Sequence, residues 1–249
     1  SPNTDGINPD SCRLVRISDC LVSVGDDCIT LKSGTQFEHP DLLQPCRDIT
    51  ITNCTLERGH GGVVIGSEMS GDVQNVTISN CVLVGTDRGI RMKSRRGRGG
   101  VVENVRVTNL IMDGVLCPFT MNLYYHCNGA KGDTTVSDKN PRPVDESTPA
   151  FRNIHYSHIT AVDVKIAAGF FYGLAEMPLE DISLADISVS LTGGADPDYP
   201  EMADDIPSMS QAGFFIRNAR NIRLDNVQVH NQIGPAFNLD ASVEADIRP

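Results

Sequence analysis

The sequence predicts an all-β chain wound as a right-handed parallel β-helix (solenoid). Three observations carry that reading. One short pattern recurs along the whole length, each recurrence alternates with the period of two that a half-buried strand requires, and no segment shows the period of an amphipathic helix. The pattern is an aliphatic residue, a polar one, an apolar one, a small polar one, then Asn, Asp or His before an apolar residue or Cys. In chain order it begins at Val15, Ile49, Val76, Val105, Ile154, Ile182 and Ile222. A second alternation follows most of these within about ten residues: Ile29-Thr-Leu-Lys32, Val63-Val-Ile-Gly66, Ile90-Arg-Met-Lys93, Phe119-Thr-Met-Asn122 and Phe170-Phe-Tyr-Gly173.

The equivalent positions Asp19, Asn53, Asn80, Asn109, His158, Asp186 and Asn226 recur at spacings of 34, 27, 29, 49, 28 and 40 residues. A repeat in the high twenties with two or three short strands suits a solenoid coil, and the longer spacings carry loops. A doubly wound α/β fold would need helices between its strands, and none is legible. Residues 1–249 therefore read as a single domain of about eight coils.

Neighbouring rungs of such a stack lie about 4.8 Å apart, so residues in one register position lie over one another. Asp19, Asn53, Asn80 and Asn109 are expected to form a side-chain ladder along a turn. The sequons Asn53-Cys-Thr55 and Asn75-Val-Thr77 carry little weight beside that ladder, to which Asn53 belongs. Cys20, Cys54 and Cys81 share the next position and read as core thiols. Cys28 with Cys46, or Cys117 with Cys127, would close short loops, and spacing alone leaves their pairing open.

With 32 acidic and 21 basic residues the net charge is −11, which argues against nucleic acid or an anionic membrane surface as partner. The longest apolar stretches, Val63–Ile65 and Ile166–Leu174, are far too short to span a bilayer. The first six residues contain neither a basic n-region nor an apolar h-region. Three interruptions, Ser33–Pro45, Tyr124–Ala150 and Thr192–Ala212, read as loops around a binding face.

Register turns sequence spacing into a cluster. With Ile7, Ile29, Val63 and Ile90 aligned, Asp5 and Asp27 fall two positions before the reference, while Asp26 and His60 fall three before it. Three neighbouring carboxylates cannot all ionise freely, so one is expected to keep a proton for general-acid work and the others to act as bases. Taken alone, Asp26-Asp27 would be an acidic turn and His60, within Gly59-His60-Gly61-Gly62, a structural histidine. Their convergence with Asp5 points to a catalytic set instead. Six cations lie between Arg88 and Arg98. On an acidic chain they mark a pocket for an anionic substrate, with Arg91 and Lys93 on one strand face as the best candidates. A uronic acid polymer fits, because its glycosidic bonds need an acid and an activated water.

The order Asn3-Thr-Asp5, Asp26-Asp27, Gly59-His60-Gly61, Arg91-Met92-Lys93 resembles the polygalacturonase family of glycoside hydrolases (family 28), whose motifs read NTD, DD, GHG and RIK. The resemblance implies inverting hydrolysis of α-1,4-galacturonosidic bonds without a metal or other cofactor. It gives Asp26 the general acid role, has Asp5 and Asp27 activate the water, and has His60 tune the acid. Arg91 and Lys93 would hold the substrate carboxylate, and Tyr125 or Tyr124 would contact sugar. Met92 in place of Ile is a volume-conserving change. Family domains carry several coils before the first motif, so the sequence reads as a C-terminal fragment lacking the N-terminal coils. The Ser33–Pro45 insertion is expected to narrow the groove, and the long loops together with Gly61–Glu68 favour exo action. A monomer, secreted or periplasmic, working on an acidic polysaccharide is the resulting expectation. Hydrolysis of rhamnogalacturonan or xylogalacturonan, a calcium-dependent pectate lyase, and a non-catalytic carbohydrate-binding β-helix are the alternatives.

Overall fold

A computed structural model describes residues 2–127 and 132–249. Parallel strands form two sheets that run along one stack. The first sheet takes, in order, Arg16–Ser18, Cys46–Thr52, Val73–Val84, Val101–Asp113, Ala150–Val164, Leu179–Leu191, Ala219–His230 and Val243–Arg248. The second takes Ile29–Leu31, Val63–Gly66, Arg88–Lys93, Cys117–Asn122, Ala167–Tyr172, Ala212–Arg217 and Phe237–Asn238. Each coil thus crosses from one sheet to the other and returns one rung further along, which is a parallel β-helix. The helical content among the described residues is one turn at Thr134–Ser137 and one 3-10 turn at Pro40–Leu42.

The register follows the sequence repeat. Ile49 pairs with Val76, then Val105, Ile154, Ile182 and Ile222 in succession. On the second sheet Ile7, Ile29, Val63, Ile90 and Phe119 form one column. One step departs from the sequence reading: Phe170 pairs with Thr120, so Gly169 rather than Phe170 continues the column. A Cβ on Gly169 would lie 2.4 Å from the Phe214 ring. The missing side chain lets Phe214 stack with Phe119 at 6.1 Å, an arrangement a phenylalanine in that position would exclude. The Ala212–Arg217 and Phe237–Asn238 strands went unread because loops separate them from their repeats.

Strands of twelve to fifteen residues persist because they bend at corners occupied by Asn, Asp or His in the left-handed region. Asn53, Asn80, Asn109, His158 and Asp186 hold φ of 53–55°, a conformation that a short polar side chain tolerates better than other non-glycine residues. The ladder expected along this corner forms in part, with Asn109 Nδ2 donating to Asn80 Oδ1 at 2.7 Å and Asn226 to Asp186 at 2.8 Å. A second ladder at the other corner was missed. There Asn75 donates to Asp48 at 2.9 Å, Asn104 to Asn75 at 3.1 Å and Asn153 to Asn104 at 2.6 Å. Ile51 and Ile78 between the corners, and Leu56 and Leu83 just past the corner at Asn53 and Asn80, are wholly buried, each contributing about 1.5–3 kcal/mol of burial.

All eight cysteines are free thiols, so neither Cys28–Cys46 nor Cys117–Cys127 is bridged. The register sends these side chains to separate places in the core: Cys28 Sγ faces the carbonyls of Val22 and Glu57, and Cys46 Sγ that of Pro9. Burial pushes the Cys28 and Cys46 thiols up to about 11 and Cys117 to about 12.

Candidate active site

Three consecutive turns at the entrance to the second sheet carry the acidic set. The Gly6 amide donates to the Asp27 carbonyl at 3.0 Å, the His60 amide to the Asp26 carbonyl at 3.0 Å, and the Asp87 amide to the Gly59 carbonyl at 2.9 Å. These bonds fix Asp26, His60 and Asp87 in one column and Asp5 beside Asp27. Glycine is required here by close approach. A Cβ on Gly59 would lie 2.5 Å from the Asp26 carbonyl oxygen, and one on Gly61 2.3 Å from Val64 and 3.1 Å from Asp27 Oδ1.

One oxygen of each of Asp5, Asp26 and Asp27 lies within 4.8 Å of the others. Their surroundings differ sharply. Asp27 is buried and both its oxygens are held, Oδ2 by Lys93 Nζ at 2.8 Å and Oδ1 by Arg91 Nη1 at 3.4 Å. Asp5 accepts twice on Oδ2, from Asn8 Nδ2 at 3.0 Å and Lys32 Nζ at 3.2 Å, so Oδ1 is free of both. Asp26 accepts the Asp27 amide at 2.9 Å, and among the described residues no cation pairs with it. Lys32, Arg91 and Lys93 thus bring three cations to the triplet, of which Lys32 is shared with Glu68 and Arg91 with Glu201.

His60 Nδ1 meets Asp87 Oδ2 at 2.6 Å. Lys32 also pairs with Glu68 at 3.7 Å, and Glu68 with Arg98 at 3.1 Å. Burial opposes the Lys32 charge, but Glu68 and Asp5 raise its affinity for a proton. The cleft containing these groups has a volume of about 830 Å³, and Asn3, Tyr125 and Met202 complete its walls.

Sequence reasoning expects Arg91 and Lys93 to point outward with their charges available. Both do leave the solenoid core, but they are covered, 4% and 7% exposed. The cover is the Thr192–Ala212 interruption. Glu201, 1% exposed, grips Arg91 through Oε2 to Nε at 2.9 Å and Oε1 to Nη2 at 2.6 Å. Thr120 Oγ1 and the Met202 amide complete its bonds at 3.3 and 2.9 Å. Burial alone would raise the Glu201 carboxyl, yet the Arg91 guanidinium, aided by Arg88, holds it down at about 2. Arg88 anchors the same segment by donating to the carbonyls of Pro200 and Tyr199, each at 2.8 Å. The Tyr125 ring sits 5.6 Å from the Arg91 guanidinium and 5.3 Å from Lys93 Nζ. Tyr124 turns inward against Tyr172, with ring centroids 4.7 Å apart. Ser33–Pro45 contributes no residue to the cleft walls, so the expected narrowing by that insertion is not found.

The site groups thus reproduce, in one cleft, the ordered motifs at Asn3–Asp5, Asp26-Asp27, Gly59–Gly61 and Arg91–Lys93. The sequence profile of glycosyl hydrolases family 28 matches residues 1–203. The chain belongs to this family. A probable polygalacturonase of Vitis vinifera is 33% identical over 196 residues, which are 78% of this chain and 38% of that protein. An endo-polygalacturonase of Pectobacterium carotovorum subsp. carotovorum is 36% identical over 123 residues, 49% of this chain and 29% of that one. The crystal structure of a hyperthermoactive exopolygalacturonase from Thermotoga maritima superposes with a TM-score of 0.67 at 28% identity, covering 90% of this chain and 44% of that one. The chain spans less than half the length of these relatives.

Within this family 28 chain, the sequence reading missed Lys32, Asp87 and Glu201. Asp87 lies three residues before Ile90, as Asp26 lies before Ile29, so the register could have found it. Lys32 falls in the column of Gly66 and Lys93, also accessible from register. Glu201 carries no periodic signal, since it lies in a loop 110 residues from its partner Arg91.

Proposed function

We propose that the protein hydrolyses α-1,4-galacturonosidic bonds of pectin with inversion, acting from chain ends. The observation that carries the reading is the asymmetry of the carboxylates: Asp5 and Asp27 have cationic partners, and Asp26 has none. Asp26 is the general acid that protonates the leaving oxygen. Asp5, whose two donors both bond Oδ2, takes a proton from the attacking water on Oδ1, and Asp27 orients that water from a fully bonded position. Asp87 fixes His60 with Nδ1 engaged, leaving Nε2 for the sugar or for Asp26. Arg91, Lys93 and Tyr125 form the wall against which the sugar ring rests.

Exo action is supported by Met202 at one wall of the cleft, where the segment pinned by Arg88 and Arg91 stands, and by the exopolygalacturonase among the similar structures. The domain is read as part of a longer solenoid, and a cell-wall substrate places the enzyme outside the cytoplasm.

The test compares reducing-sugar release from polygalacturonate by the unaltered chain and by Asp26→Asn. Loss of about 10²-fold or more is expected for removal of a general acid. Equal rates would refute the assignment of Asp26. An unsaturated product that accumulates only with Ca²⁺ would replace hydrolysis by elimination. Monogalacturonate as the first product supports exo action, and a ladder of longer oligomers refutes it.

A further inference from the structure

Lys32 follows the Ile29–Leu31 strand and stands in one register column with Gly66 and Lys93. The preceding coil fixes its backbone: the Lys32 amide donates to the Pro9 carbonyl at 3.0 Å, and the Ser11 amide donates to the Lys32 carbonyl at 2.9 Å. Gly66 puts no side chain between the two lysines of the column. Each reaches a different carboxylate, Lys93 Nζ bonding Asp27 Oδ2 at 2.8 Å and Lys32 Nζ bonding Asp5 Oδ2 at 3.2 Å. Asp5 and Asp27, the pair assigned to the attacking water, thus each receive a lysine from the same column.

The Lys32 bond bears on which oxygen of Asp5 is available. Lys32 Nζ and Asn8 Nδ2, at 3.2 and 3.0 Å, both bond Oδ2, so neither occupies Oδ1. Asn8 belongs to the same exposed turn as Asp5, whereas Lys32 comes from the next coil and is the one cation paired with Asp5 among the described residues. A lysine ammonium rides on a flexible four-carbon stem and is oriented by its partners. Glu68 supplies the second partner, with Oε2 3.7 Å from Lys32 Nζ, while its Oε1 accepts from Arg98 Nη1 at 3.1 Å and from Ser67 Oγ at 3.2 Å. Burial would raise the Glu68 carboxyl, but Arg98 and Lys32 hold it below the ordinary range and so keep it charged. Asp5, Lys32, Glu68 and Arg98 form a line of alternating charge that ends on a residue only 6% exposed.

We infer that Lys32, itself held by Glu68, is a positioning residue that turns Asp5 so that Oδ1 meets the attacking water. The inference rests on the hydrolytic reading above and deepens it. Because Lys32 acts through Asp5, its loss falls on turnover and leaves substrate binding almost unchanged. Displacing a reacting group by about 1 Å costs up to roughly 10²-fold in rate. A lysine that instead held a substrate carboxylate would show its loss in KM.

The experiment measures kcat and KM for trigalacturonate with the full chain, unaltered and carrying Lys32→Met, Lys32→Arg, Glu68→Gln, or Lys32→Met together with Glu68→Gln. Lys32→Met keeps an apolar stem and removes the charge, and it is expected to lower kcat about ten- to a hundredfold with KM within about twofold. Lys32→Arg returns a cation to Asp5 and is expected to turn over at least about fivefold faster than Lys32→Met. Glu68→Gln is expected to lower kcat about threefold or more by itself, and to add no loss in the Lys32→Met background. A rise in KM with kcat unchanged in Lys32→Met overturns the inference and leaves the hydrolytic reading standing. A full separate loss from Glu68→Gln in that background, or equal kcat in Lys32→Met and the unaltered chain, overturns it in the same way. An unaltered chain that releases no sugar overturns both. Where Lys32→Met does not fold, Glu68→Gln decides: a loss in kcat supports the inference, and a change in KM alone overturns it.

Discussion

His60 and Asp87 come from consecutive coils and meet through Nδ1 and Oδ2 at 2.6 Å. The contact arises because Asp26, His60 and Asp87 occupy one register column at the mouth of the second sheet. An acceptor on Nδ1 selects the tautomer and ring orientation, and it leaves Nε2 as the group that reaches the cleft.

Loss of that acceptor should misplace the ring without removing it. Asp87→Ala is expected to lower kcat on oligogalacturonides by about ten- to a hundredfold with KM little changed, and to change the His60 ¹⁵N chemical shifts toward a tautomer mixture. Unchanged ¹⁵N shifts with unchanged kcat would show that the contact does not orient His60.

The stereochemistry of hydrolysis is the second outcome to measure. One oxygen of each of the three carboxylates lies within 4.8 Å of the others, whereas carboxyl groups about 5 Å apart are usual for retention and roughly 6.5–9.5 Å apart for inversion. Inversion at such short range requires the water to be held by Asp5 and Asp27 jointly and not between the acid and a distant base. Proton NMR of the first-formed product should show the β-anomer. An initial α-anomer would instead assign one carboxylate as a nucleophile.

Glu201 gives a pH signature in stability. Its folded value of about 2 lies below the ordinary 4.5, so the Arg91 pair stabilises the fold above pH 4.5, and that contribution disappears as pH falls toward 2. Its size is on the order of 3 kcal/mol at 1.36 kcal/mol per decade. In denaturant titrations Glu201→Gln should be less stable than the unaltered chain at pH 6, and the gap should close between pH 5 and pH 2. A gap independent of pH would mean that lost packing, and not charge, accounts for the destabilisation.

The second Asn ladder can be separated from its backbone requirement. Asn104 holds φ of 57°, donates to Asn75 and accepts from Asn153. Asn104→Gly keeps the left-handed backbone and loses the bonds, so a loss of about 1 kcal/mol is expected. Asn104→Ala loses both, adding roughly 1–2 kcal/mol for the strained corner. Thermal melts that rank Ala equal to or above Gly would show that the corner carries no conformational strain.

Much of the fold and part of the site were legible because a solenoid converts spacing into position. The seven repeats beginning at Val15 through Ile222 align in space as they align in sequence, since each coil must bury the same aliphatic columns. Asp5, Asp26, Asp27 and His60 fall into one cluster for that reason. The single-residue slip at Phe170 arose where Gly169, having no side chain, gave the alternation nothing to mark.

The sequence by itself determined the coil register, the corner polar ladder at Asn80 and Asn109, and the meeting of the three carboxylates with His60. Only the tertiary structure decided what charge those groups feel. Glu201 closes on Arg91 from a loop with no period, Lys32 settles on Asp5 instead of solvent, and the cysteines remain thiols because the coils hold Cys28 and Cys46 toward different carbonyls. Periodic burial fixes the backbone locally from coil to coil. Ion pairs across 110 residues form only once the chain has folded and a buried guanidinium must find a carboxylate.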